Sequence, residues 1–181
     1  MTFEERTLKS ERIYEGAIIN LRKDTVTVMN GTSQREIVEH NGGAVLAAIT
    51  DEGKMVMVRQ YRKAADRVML EAPAGKIDPG EAAERTAVRE LKEETGYTAQ
   101  NVKPLMSFYP SVGYSEEKLY LYLCSGLTAG ETNFDENEAI DIELYEIDEL
   151  YEMVMAGKIE DGKTIIAILA VKKLSEEGRL V

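Results

Sequence analysis

The chain has 181 residues, 44% of them hydrophobic, and a net charge of −11. That is enough apolar material for one folded domain with a buried core, and the acidity excludes a nucleic-acid backbone as the partner. One histidine, His40, and one cysteine, Cys124, exclude a His-rich zinc site, a histidine-based triad and an intrachain disulfide.

Taken in order, residues 1–12 are polar and charged, without the apolar region of a signal peptide, and read as a short strand or arm. Residues 13–20 are apolar around Gly16. Residues 24–29 and 34–39 alternate on either side of Asn30-Gly31, which predicts a hairpin with a loop slightly longer than two residues. His40 reads as a polar residue at a strand end. Asn41-Gly42-Gly43 then breaks the chain, so residues 1–42 are expected to form an N-terminal β arm and 43–181 the main domain. Residues 44–50 are a small-apolar run that predicts a buried strand, and 54–61 return after the turn at Asp51-Glu52-Gly53. Arg59, Arg62, Lys63 and Arg67 form the one basic patch, open to two readings: surface ion pairs or phosphate binding.

Further strands are predicted at 68–72, 102–108, 118–124 and 140–146, with an acidic loop over 128–139. A helix capped by Asp148 runs to Ala156, and a last helix starts at Asp161 or Thr164 and stops at Gly178. Cys124, among apolar neighbours, reads as a buried thiol, and a reducing cytoplasm fits it. No run approaches about eighteen apolar residues, so no membrane span is expected.

The most informative stretch lies between the strands at 68–72 and 102–108. It opens as Gly75-Lys76-Ile77-Asp78-Pro79-Gly80-Glu81, which two glycines and a proline mark as a loop. Residues 81–95 lack Gly and Pro and are rich in helix formers, and Gly96 stands where a C-terminal cap belongs. At about 100° per residue, Glu90, Glu93 and Glu94 share one helix face with Thr86 on the same side, while Ala87, Val88 and Leu91 form a separate apolar stripe. Three like charges repel unless a cation joins them, and hard oxygen donors suit Mg2+ or Mn2+. A solvated acidic face, with Arg89 and Lys92 as partners, is the competing reading of those glutamates alone. Divalent cations would also reconcile an acidic protein with an anionic phosphate substrate.

The full spacing, Gly75-x5-Glu81-x7-Arg89-Glu90-Leu91-x-Glu93-Glu94-x-Gly96-Tyr97, resembles the Nudix box at every fixed position. Over nearly its full length the chain is similar to the bacterial ADP-ribose pyrophosphatases of the Nudix hydrolase family. Softer matches are Arg35-Glu36-Ile37-Val38, Gln60-Tyr61-Arg62, Glu71-Ala72-Pro73-Ala74-Gly75, Tyr109-Pro110-Ser111-Val112-Gly113 and Asp135-Glu136-Asn137-Glu138. The resemblance implies an α/β fold, a Nudix-type α/β/α sandwich with a mixed sheet and an N-terminal β-hairpin arm. It implies Mg2+-dependent hydrolysis of the pyrophosphate of ADP-ribose to AMP and ribose 5-phosphate, with about two or three Mg2+ or Mn2+ ions per site.

Carried over by position, Glu90 and Glu94 match the main metal ligands, with Glu93 beside them and the Ala74 carbonyl and Glu138 as further ligands. Arg89 pairs with Glu93, four residues on, and orients it. Glu136 matches the general base, with a box glutamate such as Glu93 as the alternative. Arg62 and Arg35, with Glu36 and Gly75, match substrate contacts, and the N-terminal arms of relatives pair in a homodimer, so that Arg35 serves the neighbour's site. One departure stands out: where some relatives stack adenine on an aromatic after the glycine matching Gly16, this chain has Ala17. Tyr14 or Tyr114 would then stack the base. Hydrolysis of another sugar nucleotide, NADH or a dinucleoside polyphosphate is the nearest alternative. An ADP-ribose-sensing regulator would need a degraded box and a basic extension, and the chain has neither.

Overall fold

The computed structural model describes residues 3–133 and 139–180. They fall into two units: Met1–Gly42 with Phe108–Lys118, and Gly43–Ser107 with Leu119–Val181.

The first unit is an antiparallel meander of β1 (Thr7–Glu15), β2 (Asn20–Val28) and β3 (Gly31–Glu39). The β2–β3 ladder runs without a shift from Asn20↔Glu39 to Val28↔Gly31. Only Met29 and Asn30 remain for the turn, so the loop is tighter than the sequence predicts. Gly31, at φ 107°, takes the positive dihedral that lets the chain reverse there. The polar N-terminal stretch and the residues around Gly16 supply a third strand, β1, which is exposed along its whole length. Residues near 114 join the outer edge of β3, where Val38 N–H donates to the Tyr114 carbonyl at 2.7 Å and Glu116 N–H to the Val38 carbonyl at 2.9 Å. His40 follows β3 as expected, its Nδ1 accepting from Gly42 N–H at 3.0 Å.

The second unit is organised on β4 (Gly43–Ala48), whose six residues are all buried. Small apolar residues on both faces are what a doubly covered strand needs. The remaining strands are β5 (Lys54–Arg62), β6 (Arg67–Glu71), β7 (Ala74–Lys76), β8 (Thr98–Phe108), β9 (Leu119–Thr128) and β10 (Ile140–Glu146). They form one sheet in the order β7-β4-β9-β8 and another in the order β10-β5-β6. The first is mixed, since β4 runs parallel to β9 from Gly43↔Leu119 to Ala48↔Cys124 and antiparallel to β7. The strand β7 falls where Gly and Pro predict only loop. It forms because the two backbones approach closely, Gly43 pairing with Lys76 and Ala44 with Gly75, and a Cβ on Gly43 would come within 3.0 Å of the Gly75 carbonyl oxygen. The edge strand β8 begins four residues before the predicted start.

Three helices complete the unit: α1 (Ala83–Thr95), α2 (Ile147–Met155) and α3 (Gly162–Glu176). The first packs Ala87 and Leu91 against Ala44, Leu46 and Ala48 of β4, with Val56, Tyr122 and Cys124 around them. Burying a leucine of this kind contributes about 2 kcal/mol. Gly96 ends α1 in the left-handed region at φ 72°, its N–H on the Lys92 carbonyl, as the sequence predicts. The apolar stripe is offset from prediction: Val88 is 52% exposed, and Glu94, at 6%, lies on the buried side instead. Asp148 sits inside the first turn of α2 rather than at its cap. Asp161 caps α3 by accepting the Thr164 N–H at 3.1 Å. Cys124 is buried, which pushes its thiol up to about 12. Among the described residues no helix is long and apolar enough to cross a membrane.

Candidate active site

The box glutamates converge where α1 passes β7. Glu94 is held by its backbone neighbour on that strand, Ala74 N–H donating to its Oε2 at 3.0 Å. Glu90 lies directly over Gly75: a Cβ there would stand 1.7 Å from Glu90 Cδ and 2.0 Å from its Oε1. Only glycine leaves this notch. Glu93 is the most open of the three, with its side chain 35% exposed. Ala74, Gly75, Glu90, Glu93 and Glu94, named from the sequence, are thus adjacent.

Arg89 joins them into one charged cluster. Its Nη1 donates to Glu90 Oε1 at 2.7 Å and to Glu93 Oε2 at 2.9 Å. The pairing with Glu93 is the one that a four-residue spacing predicts. Its Nη2 donates to Glu81 Oε2 at 3.1 Å and to the Lys76 carbonyl at 3.3 Å. Glu81 also accepts from the Thr86 hydroxyl at 2.8 Å. The Arg89 guanidinium and the Thr86 hydroxyl hold the Glu81 carboxyl down at about 2. Glu81 therefore anchors the arginine that orients Glu90 and Glu93. The motif contains Glu81, but its role becomes visible only in the fold.

Arg62, Glu71, Lys163 and Asp161 form a second charged cluster. Arg62 makes a two-pronged pair with buried Glu71, Nε to Oε1 at 2.7 Å and Nη2 to Oε2 at 2.9 Å. Lys163 also donates to Glu71 Oε2, and to Asp161 Oδ2 at 2.8 Å. Burial opposes ionisation of Glu71, but Arg62 and Lys163 outweigh it and hold the carboxyl below its ordinary range. The Arg62 charge is favoured first by Glu71 and then by Glu94 and Asp161. Its Nη1 makes no hydrogen bond among the described residues. Nothing in the sequence ties Lys163 to the site, because Glu71, the partner that links it to Arg62, is 92 residues away.

The rest of the basic patch follows the surface-pair reading. Arg59 pairs with Glu143, Lys63 with Asp66 and Arg67 with Glu160.

Four predicted substrate contacts belong to the N-terminal unit. Arg35 is paired with Glu5, its Nε on Oε2 at 2.9 Å and its Nη2 on Oε1. Glu36 is exposed on β3. Tyr14 is exposed, with its ring folded onto Gly16, where a Cβ would meet Cε1 at 2.5 Å. Tyr114 is exposed in the loop that joins β3. Glu136 and Glu138 lie outside the described residues.

The donor set fits a hard divalent cation. All the candidate ligands are oxygens, and two of the carboxylates are largely shielded from solvent, with side chains 13% exposed at Glu90 and residue exposure 6% at Glu94. Among the described residues no three acidic, His or Cys groups form a ready-made metal cage. Mg2+ rarely uses such cages; it binds through one or two carboxylates and completes its shell with water and phosphate.

Residues 40–168 match the NUDIX domain family profile. The chain is 43% identical over 169 residues to a methanol dehydrogenase activator of Bacillus methanolicus, covering 92% of this chain and 91% of that one. It is 39% identical over 170 residues to an ADP-ribose pyrophosphatase of Bacillus subtilis, covering 92% of each. An ADP-ribose pyrophosphatase of Mycobacterium tuberculosis is 37% identical over 169 residues, 91% of this chain and 82% of that one. A crystal structure of an ADP compounds hydrolase shares the fold, with a TM-score of 0.84 at 20% identity over 99% of this chain and 98% of that one. The chain belongs to the NUDIX domain family and is a Nudix hydrolase. Nudix hydrolases generally require a divalent metal such as Mg2+.

Proposed function

We propose that this protein hydrolyses the pyrophosphate bond of ADP-ribose, giving AMP and ribose 5-phosphate, with Mg2+ as the metal. The observation that carries the reading is the seating of Glu90 over Gly75, beside Glu94 and Glu93 and tied by Arg89. That arrangement, on a chain whose relatives at 37–39% identity are named ADP-ribose pyrophosphatases, supports the substrate.

In this reading Glu90, Glu94 and the Ala74 carbonyl hold the metal, with Glu93 beside them and Glu138 as a further ligand. The cation supplies charge neutralisation on the pyrophosphate and acidifies the attacking water. Arg89 holds Glu90 and Glu93 in orientation, and Glu81 holds Arg89. Arg62 offers its Nη1 to a phosphate oxygen while Glu71 fixes the rest of the guanidinium. Glu136 accepts the proton from water. Arg35 and Glu36 keep the substrate contacts that the family resemblance gives them, and Tyr14 or Tyr114 stacks the base in place of the aromatic that Ala17 replaces. The protein acts as a homodimer through the N-terminal unit, in the cytoplasm.

A second reading, hydrolysis of another nucleoside diphosphate derivative such as NADH, draws support from two observations. Ala17 replaces the stacking aromatic of some relatives, and a 43%-identical relative bears the name of a dehydrogenase activator.

The test of the site is Glu90→Gln and Glu94→Gln, assayed separately with ADP-ribose at saturating Mg2+. Each substitution should lower turnover by at least about a hundredfold, the scale of losing a group that stabilises developing charge. Retained turnover in either variant would remove that residue from the metal site.

A further inference from the structure

The start of α3, residues 161–164, holds the end of β6 at Glu71 and the Ala72 that follows it. Thr164 Oγ1 accepts the Ala72 N–H at 2.8 Å and donates to Asp161 Oδ2 at 2.5 Å. Lys163 bridges Asp161 and Glu71. Glu71 in turn fixes two nitrogens of Arg62. From Ala72 the chain passes to Pro73, whose carbonyl accepts Leu46 N–H at 2.9 Å, and to Ala74, whose N–H is on Glu94. Ala72, Pro73 and Ala74 are thereby pinned from three elements: α3, β4 and α1.

We propose that Lys163 and Thr164 are positioning residues of the active site, Lys163 setting the Arg62 fork through Glu71 and Thr164 setting the Ala74 carbonyl through Ala72. The assignment rests on the proposed metal and phosphate roles of Ala74 and Arg62. Neither residue is placed in contact with substrate. Thr164 is fully buried, and the Lys163 side chain is 15% exposed with its ammonium committed to two carboxylates. Their chemistry is more specific than anchoring a helix requires. An apolar residue at 163 would pack as well but leave Glu71 with Arg62 alone, and valine at 164 would fill the same space but leave the Ala72 N–H unpaired.

The two arms of the device predict different kinetic signatures. Lys163→Met lets Glu71 and Arg62 move together, so KM should rise about tenfold with kcat changed less than about threefold, as expected for lost substrate binding. Lys163→Arg, which keeps the charge, should recover most of that KM. Thr164→Val should weaken Mn2+ binding about tenfold, the usual scale for losing a group that orients a metal ligand. Mn2+ binding is read by electron paramagnetic resonance of the free ion, without turnover. Should Thr164→Val not fold, Asp161→Ala removes the carboxylate that accepts from both residues and is read in the same two assays.

All variants are made in the full chain and their thermal midpoints recorded. Folded variants with wild-type KM and Mn2+ affinity would overturn the proposal. So would a KM increase in Lys163→Met that Lys163→Arg fails to reverse. If the wild type prefers another nucleoside diphosphate compound, the same ratios are read on that compound, so the substrate reading fails while the positioning role is still decided. A wild type that binds no Mn2+ and cleaves none of these compounds overturns both.

Discussion

Gly75 leaves the space that Glu90 fills, and this is the most direct link between one residue and the chemistry. Its value to the site is the missing Cβ, which would stand 1.7 Å from the Glu90 carboxyl carbon. Gly75→Ala should push the carboxylate aside and lower turnover about a hundredfold, while stability falls by only about 1 kcal/mol because Glu90 is flexible at its far end. Paired kinetic and urea-unfolding measurements check this, and a variant that unfolds in proportion to its lost activity would contradict it. At this scale the box residues were legible because the motif fixes their order within one short stretch. Glu94 taking the buried side of the helix was not legible, because its burial depends on Ala74, twenty residues earlier. Lys163 and Glu71 were invisible as a pair for the same reason, since only the fold brings α3 onto the end of β6.

The elements show the same division between local and distant causes. Helix α1 and its Gly96 terminus were readable, since propensity and a left-handed cap are local properties. Strand β7 was not, because its pairing with β4 overrides the Gly and Pro around it. The β5–β10 pair supplies a prediction of its own. Arg59 grips Glu143 at 2.7 and 2.9 Å, and with Tyr145 holds its carboxyl down at about 2, against an ordinary value of 4.5. The folded value lies below the unfolded one. The pair therefore contributes stability that is fully present above about pH 4.5 and is lost as the pH falls toward 2. Glu143→Gln should cost about 1 kcal/mol at neutral pH and make unfolding less steeply dependent on pH below about 4.5. Denaturant midpoints at stepped pH measure it, and an unchanged acid slope would contradict it.

For the whole molecule, composition and charge pointed to one acidic domain with a buried core, and the mixed α/β fold follows from the strand and helix order that the sequence shows. What composition did not reveal is how much apolar surface the N-terminal unit leaves in solvent. Leu8, Ile13 and Ile18 are 60%, 47% and 67% exposed on or beside β1. A homodimer through this unit would cover such residues. Sedimentation should give a species of twice 20.2 kDa for the native chain and a monomer for Leu8→Glu with Ile13→Glu. A native monomer would contradict the assembly. The reaction itself is open to direct measurement. ADP-ribose is incubated with the protein beside a panel of other nucleoside diphosphate compounds, with Mg2+ and with EDTA, and the products are separated by chromatography. ADP-ribose should give AMP and ribose 5-phosphate, formed faster than any product from the other compounds and abolished by EDTA. Faster cleavage of another compound, or turnover that survives EDTA, would contradict it.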